Sequence, residues 1–240
     1  MNWQNVAAIG RKDITIMMTR RSLRIALVAL PLGLAILFSQ IIGRSSIPAD
    51  QLPKMLNAFL FFFMIYTGVL PANLASYSMV GEKVERSLEP LLATPASDGE
   101  ILLGKALAAL VPPLVVMWAG MVTLMALCDA FTRATLGYLY FPNWMAAVTV
   151  FGLAPLLGIM AVAFSVLMSA RVSEVRTAQQ LGSLAAIPGL GLYVGLISGA
   201  FSLDLASLAV ICGIAAAADA ALAIAARATF HREEILTRWA

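Results

Sequence analysis

The sequence has few charged residues, two cysteines and a single histidine, and each shortage excludes a class of protein. Charged residues make up 12% of the 240 positions and hydrophobic residues 61%, whereas soluble domains average about 25% charged and 45–50% apolar residues. So few charges cannot cover a water-exposed surface, so the chain is predicted to be a membrane protein. Cys128 and Cys212 lie in different apolar segments without metal or disulfide spacing, and His231 is the only histidine. No metal site is expected, and the net charge of +3 does not indicate nucleic acid.

Six apolar runs are long enough to cross a bilayer, which takes about 20 residues each. The predicted spans are about residues 23–43, 55–80, 101–128, 144–170, 177–201 and 205–228. No soluble stretch of domain size separates them. The expected fold class is therefore an all-α membrane protein with six transmembrane helices, forming a single domain over residues 1–240.

The basic residues predict the orientation of these spans. Thirteen of the 16 Lys and Arg residues fall in the N-terminal segment, the second and fourth loops and the C-terminal tail. Cytoplasmic loops carry such an excess. Both termini are therefore expected in the cytoplasm, as an even number of spans requires.

The segment before the first span has its own pattern. Its apolar positions recur at three- and four-residue steps between basic residues, and they are Trp3, Val6, Ala7, Gly10, Ile14 and Met17. This pattern favours an amphipathic interfacial helix within residues 1–24, lying on the inner leaflet. The alternative is a disordered basic flank.

The loop between spans two and three, residues 82–100, is the most informative part of the sequence. Leu88, Leu91 and Leu92 share one face of a short helix that Pro95 ends, and charged residues form its rim. Ser97 and Glu100 form a capping-box pattern that opens span three. The leucine face suits packing against the protein's own bundle, and it equally suits docking of a partner protein. The residues alone leave both interpretations open.

A family resemblance favours docking. The loop reads Ser-Leu-Glu-Pro-Leu-Leu-Ala-Thr-Pro over residues 87–95 and Glu-Ile-Leu-Leu-Gly-Lys over residues 100–105. It resembles the first cytoplasmic loop of permease subunits of type-2 ATP-binding-cassette (ABC) exporters. Residues 169–180 and 230–239 resemble, more loosely, the second cytoplasmic loop and the C-terminal ending of that family.

The resemblance implies a permease of the inner (plasma) membrane that is not itself an enzyme. A coupling helix would sit in a groove of a separate ATPase, and two ATPase subunits would hold ATP and Mg²⁺. A second permease subunit, the same or related, would complete the export pathway. The residues implied in ATPase coupling are Glu82, Glu85, Arg86, Leu88, Glu89, Leu91, Leu92, Thr94 and Pro95.

A near match to a phosphate-binding P-loop also occurs at the start of span three. Gly99, Gly104 and Lys105 have the required spacing, but Ala106 stands where Ser or Thr should hold magnesium. No strand is predicted before it. The match is therefore rejected, and no cofactor is expected on this chain.

Two features of the later spans are candidates for packing or for the pathway. Gly191, Gly195 and Gly199 form a small-residue ridge just after Pro188 and Gly189, where span five could break. The favoured interpretation is packing within one subunit, and the other is a wall of the pathway or of the subunit interface.

Asp219 is the clearly intramembrane ionisable residue, and it lies eight residues before Arg227. A structural role is favoured, either pairing with a neighbouring subunit or reaching a water crevice near the cytoplasm. The alternative function is a secondary transporter driven by an ion gradient through Asp219. A membrane-embedded hydrolase is disfavoured because no histidine or nucleophile elbow lies in a span.

Overall fold

The computed structural model describes residues 2–19, 21–45, 47–84, 96–169, 172, 174–202 and 204–229. Every regular element within these ranges is helical. The helices are α1 (Trp3–Thr19), α2 (Arg21–Arg44), α3 (Leu52–Val84), α4 (Asp98–Leu136), α5 (Trp144–Ser169), α6 (Val175–Ser198) and α7 (Leu205–Thr229).

Six of these helices, α2 to α7, are long and apolar enough to cross a membrane, which confirms the predicted number of spans. Several ends differ from the prediction. Helix α4 continues to Leu136, past the predicted end at residue 128. Helix α6 ends at Ser198, short of residue 201, because Gly199 adopts a left-handed φ of 74° and caps it. Helix α2 already begins at Arg21, inside the segment 1–24 predicted to be interfacial.

Helix α3 is the centre of the bundle. It contacts α4, α5 and α6. In its most apolar stretch 56% of the residues are buried, whereas 17% are buried in the corresponding stretches of α6 and of α7. Aromatic side chains fill the half of the core near the α2–α3 connection, where Phe38 of α2 stacks on Phe59 of α3 with ring centroids 4.5 Å apart. The other half contains Ala75 and Ala109 among Met, Leu and Val side chains and has no aromatic residue in its buried cluster.

Helix α5 contains a π-helical turn over Val148–Leu153. A π turn displaces backbone carbonyls from the regular hydrogen-bond ladder. The indole Nε1 of Trp118 in α4 donates to the Val150 carbonyl at 2.9 Å. This bond satisfies the indole in an apolar setting and fixes α4 against α5.

Helix α6 is not broken at Pro188 and Gly189. A 3₁₀ turn, Leu184–Ala186, precedes Pro188, and the helix then continues through Ile187–Ser198. Proline has no N–H to donate to the carbonyl four residues earlier, and its ring crowds that carbonyl. The chain therefore tightens by one turn instead of unwinding.

Glycines bring α6 into close contact with α3. A Cβ at Gly68 of α3 would lie 2.5 Å from the Ala185 carbonyl oxygen, and a Cβ at Gly189 would lie 2.5 Å from the Met64 carbonyl oxygen. Such distances are too short for any side chain, so both positions require glycine. The hydroxyl of Ser76 donates to the Ala178 carbonyl at 3.0 Å in the same interface.

The predicted ridge of Gly191, Gly195 and Gly199 is not where α6 packs within the chain. A Cβ at Gly191 or at Gly199 would meet no heavy atom of the described residues within 4 Å, and one at Gly195 would meet only the Phe201 ring. Gly191 and Gly199 are exposed and Gly195 is half-buried. The contacts among the described residues therefore lend within-subunit packing of this ridge no support, and its role stays a prediction.

We expect Gly68→Ala to destabilise the protein by about 1–3 kcal/mol, because the added methyl group overpacks the α3–α6 contact. The matched control is Gly213→Ala in α7, which adds the same group in open space and should be neutral or stabilising by up to ~1 kcal/mol. Thermal unfolding of both variants in detergent micelles measures the difference. Equal effects would contradict the close contact.

Candidate functional site

The residues predicted for ATPase coupling fall almost entirely outside the described part of the chain. Glu82 belongs to the last turn of α3, and the other eight lie outside the described residues. The structure does describe what flanks that loop: the end of α3, the start of α4 and helix α1 beside them. The site is therefore built from these surroundings.

The start of α4 carries the predicted capping box, which is confirmed. The Ser97 hydroxyl accepts from the Glu100 N–H at 3.4 Å, and the Glu100 carboxylate accepts from the Ser97 N–H at 3.1 Å. The same carboxylate accepts from the Asn2 N–H at 2.6 Å and from the Asn5 side-chain amide at 3.0 Å. Glu100 therefore fixes both the start of α4 and the start of α1.

One turn further along α4 lies a buried polar cluster made of Asp13, Ser78 and Lys105, here called the Asp13 cluster. The Lys105 ammonium group is 3.2 Å from the Asp13 carboxylate, and the side chains are 0% and 4% exposed. Lys105 also donates to the Ser78 hydroxyl at 3.2 Å and to the Ser78 carbonyl at 3.4 Å. The Ser78 hydroxyl in turn donates to Asp13 at 2.7 Å.

The Asp13 cluster joins three helices at one point. Asp13 belongs to α1, Ser78 to the last turns of α3 and Lys105 to the first turns of α4. A buried charge without a partner is costly, so removing one member is expected to be far worse than removing the pair. The cluster therefore holds the two helices that flank residues 85–95 together and ties both to α1.

Close backbone contact between α1 and α4 accompanies the cluster. A Cβ at Gly104 would lie 3.0 Å from the Ile9 side chain and from the Val6 carbonyl oxygen, and one at Gly10 would lie 3.2 Å from the Gly104 carbonyl oxygen. The contacts of Asn2, Gly10 and Asp13 with α4 fall on residues 100 to 105.

The sequence analysis missed this cluster. Lys105 was considered only within the family resemblance and the P-loop match, and Asp13 was not singled out. The available signal was the position of Asp13 on the face of α1 that carries Val6, Gly10 and Met17, all of which are buried. A lone carboxylate on a buried helix face needs a partner, and the lysines near the bundle end were the candidates.

The residues of the P-loop match do not have the backbone conformation of a P-loop. Gly99, Gly104 and Lys105 all lie within the regular helix α4, whereas a P-loop wraps backbone N–H groups around a phosphate. The Lys105 side chain is buried in the Asp13 cluster.

Asp219 lies in α7 with 8% of its surface exposed. Neither of its carboxylate oxygens has a hydrogen-bond partner among the described residues. Because the chain itself already covers both oxygens, a second subunit could reach them only if α7 repacked. The predicted pairing with a neighbouring subunit therefore gains no support from the geometry.

A second polar cluster holds the connection between α4 and α5 at the opposite end of the bundle. The Asp129 carboxylate, 8% exposed, accepts from the N–H groups of Tyr140 and Phe141 at 3.1 Å each. Asn57 donates to the Tyr140 hydroxyl at 2.7 Å. Burial raises the pKa of that phenol, which remains neutral and able to accept this bond. These contacts fix a connection and bring together no reactive groups.

The described residues contain no group of three or more His, Cys, Asp or Glu placed to hold a metal ion. No protein-family model matches the chain, and no curated protein matches it in sequence. The function is therefore argued from the residues of the loop and from the geometry around it.

We expect Lys105→Met and Asp13→Leu each to destabilise the protein by about 3–5 kcal/mol, because each removes one partner of a buried ion pair. The double variant should recover most of that loss. Lys54→Met removes an exposed lysine at the other end of the bundle and should change stability by less than about 0.5 kcal/mol. Unfolding in detergent measures all four, and additive losses in the double variant would contradict the ion pair.

We expect Asp219→Leu to raise the stability by about 1–3 kcal/mol, because it removes a buried carboxylate that has no hydrogen-bond partner in the described part of the chain. Asp219→Asn keeps a polar group in place and should gain less. Unfolding of both variants in detergent is the measurement. A loss of stability in both variants would show that the carboxylate has a partner in the assembled protein.

Proposed function

We propose that the chain is the membrane-spanning permease subunit of an ATP-binding-cassette transporter of the exporting type. It works in the inner (plasma) membrane with both termini in the cytoplasm. Two permease subunits, identical or related, form the translocation pathway. Separate ATPase subunits hold ATP and Mg²⁺ and drive the movement.

One observation carries the proposal. The stretch that resembles the family's first loop ends in Gly104 and Lys105, and these residues make the contact with α1. The resemblance and the packing thus converge on the same positions. A glycine here allows the backbones to approach, and a lysine here neutralises Asp13.

The geometry suits transmission of force from the loop to the spans. A force applied to residues 85–95 is transmitted to both the end of α3 and the start of α4, because the Asp13 cluster holds these two helices together. Helix α3 is the most central helix, so its displacement moves its neighbours α5 and α6. Rigid-body movement of packed helices about an interface is a common form of gating.

The exposed side of α6 suits contact with a second subunit or a wall of the pathway. Ile187, Leu190 and Val194 are about half exposed, and Gly191 lies among them with open space beside it. Small residues on an exposed helix face permit close helix contact within a membrane. Of the predicted ridge, Gly191 is the member best placed for such a contact.

The alternative is an ion-gradient-driven transporter that uses Asp219. Its support is the buried carboxylate without a hydrogen-bond partner among the described residues. A transport site of that kind assembles several polar groups around broken helices. The described part of α6 continues through Pro188, and no polar side chain is hydrogen-bonded to Asp219. The permease proposal is therefore the better supported.

We expect Leu91→Asp and Leu92→Asp to abolish co-purification of the ATPase subunit, because a charge on the leucine face opposes burial in the ATPase groove. Leu139→Asp is the matched control, since Leu139 is 58% exposed at the opposite end of the bundle. The ratio of ATPase to permease after affinity purification is the readout, with equal unfolding temperatures as proof of folding. Unchanged ratios in the Leu91 and Leu92 variants would disprove the docking role.

A further inference from the structure

A groove of about 580 Å³ runs between α4, α5 and α7. Apart from Asp98, Gly99 and Arg227, its walls are Ala, Val, Leu and Ile side chains. The residues used below are Ala106 and Leu110 of α4, Ala163 of α5, and Ala223 and Ala226 of α7. The volume falls within the range of ligand sites, about 300–1,000 Å³.

Small side chains create the groove. Where α7 faces α4 and α5, it presents Ala223 and Ala226, and α5 presents Ala163. Alanine side chains are too short to fill the space between three helices. A protein interior normally leaves little unfilled volume, so this space is expected to be occupied in the membrane.

The groove has one polar end and one apolar end. Asp98 and Gly99 begin α4, and Arg227 lies in the last turn of α7, so the polar end faces the side of the two termini. From Gly99 to Leu110 the groove follows α4 for about 16 Å. That length is about half of the ~30 Å hydrocarbon core, the depth of one leaflet.

We propose that the groove binds one acyl chain of a phospholipid from the leaflet on the side of the termini, with its phosphate on Arg227. The apolar walls match the chain, the length matches one leaflet, and the guanidinium group matches a phosphodiester, which it can bind in a bidentate manner. The lipid is thus an integral part of the packing between α4, α5 and α7. This inference does not depend on the proposed transport function.

The test uses the full chain in vesicles of phosphatidylethanolamine and phosphatidylglycerol that contain a trace of phospholipid with a photoreactive diazirine in one acyl chain. After illumination, mass spectrometry locates the labelled peptides. We expect labelling concentrated on α4 between residues 102 and 110 and on α7 near Ala223. A diazirine-bearing fatty alcohol, which lacks the phosphate, should label these peptides more weakly.

Two variants separate the groove from ordinary lipid contact. Ala223→Phe fills the space and should lower groove labelling by about tenfold, whereas Ala221→Phe, about 200° around the same helix and exposed, should leave it unchanged. Arg227→Gln should lower phospholipid labelling by about tenfold, which is the contribution of one hydrogen bond to a charged group. The same variant should not affect labelling by the fatty alcohol.

Three results would overturn the proposal. Groove labelling no stronger than that of the exposed face of α2 at Ile36 and Leu37 would make the groove an ordinary lipid-facing surface. Labelling unaffected by Ala223→Phe would place the lipid elsewhere. A severalfold rise in labelling after removal of residues 230–240 would identify that segment of the chain, and not a lipid, as the occupant.

Discussion

The ion pair between Asp13 and Lys105 is the interaction on which the loop end of the bundle depends. Two opposite charges with almost no exposed surface are stable only as a pair with additional hydrogen bonds, which Ser78 supplies. The pair can form only because Gly10 and Gly104 let α1 approach α4 closely. Backbone contact and charge therefore depend on each other: a side chain at Gly104 would separate the ion pair, and loss of one charge would leave the other buried beside the close contact.

This arrangement makes α1 part of the bundle. A helix that merely lies on a membrane surface would carry apolar residues toward lipid, yet the buried face of α1 carries a carboxylate that reaches into the protein. Glu100 adds a second attachment at the beginning of α1. The helices on either side of residues 85–95 are thereby held in fixed relation to each other and to α1. For the proposed permease, movement of the loop would be transmitted to α3 and α4 jointly, and from α3 to the helices around it.

The sequence was sufficient for features that depend on local pattern. Six spans follow from the length of the apolar runs, and the capping box at Ser97 and Glu100 follows from residues three positions apart. Features that depend on which helix faces meet were not predictable. Asp13 and Lys105 are 92 residues apart, and the glycine ridge of α6 gave no sign of which side would face α3. Gly68 and Gly189 make that contact instead, and no repeat in the sequence distinguishes them.

The proposed permease is driven by a separate ATPase, and the two should purify together. Affinity purification of the natural chain from its native membrane in mild detergent, with partners identified and counted by mass spectrometry, tests this. We expect a soluble subunit with an intact P-loop, about one per permease chain, and ATP hydrolysis by the purified complex. A folded chain recovered without any ATPase would contradict it, and would favour an ion-driven transporter in which Asp219 is the residue to examine.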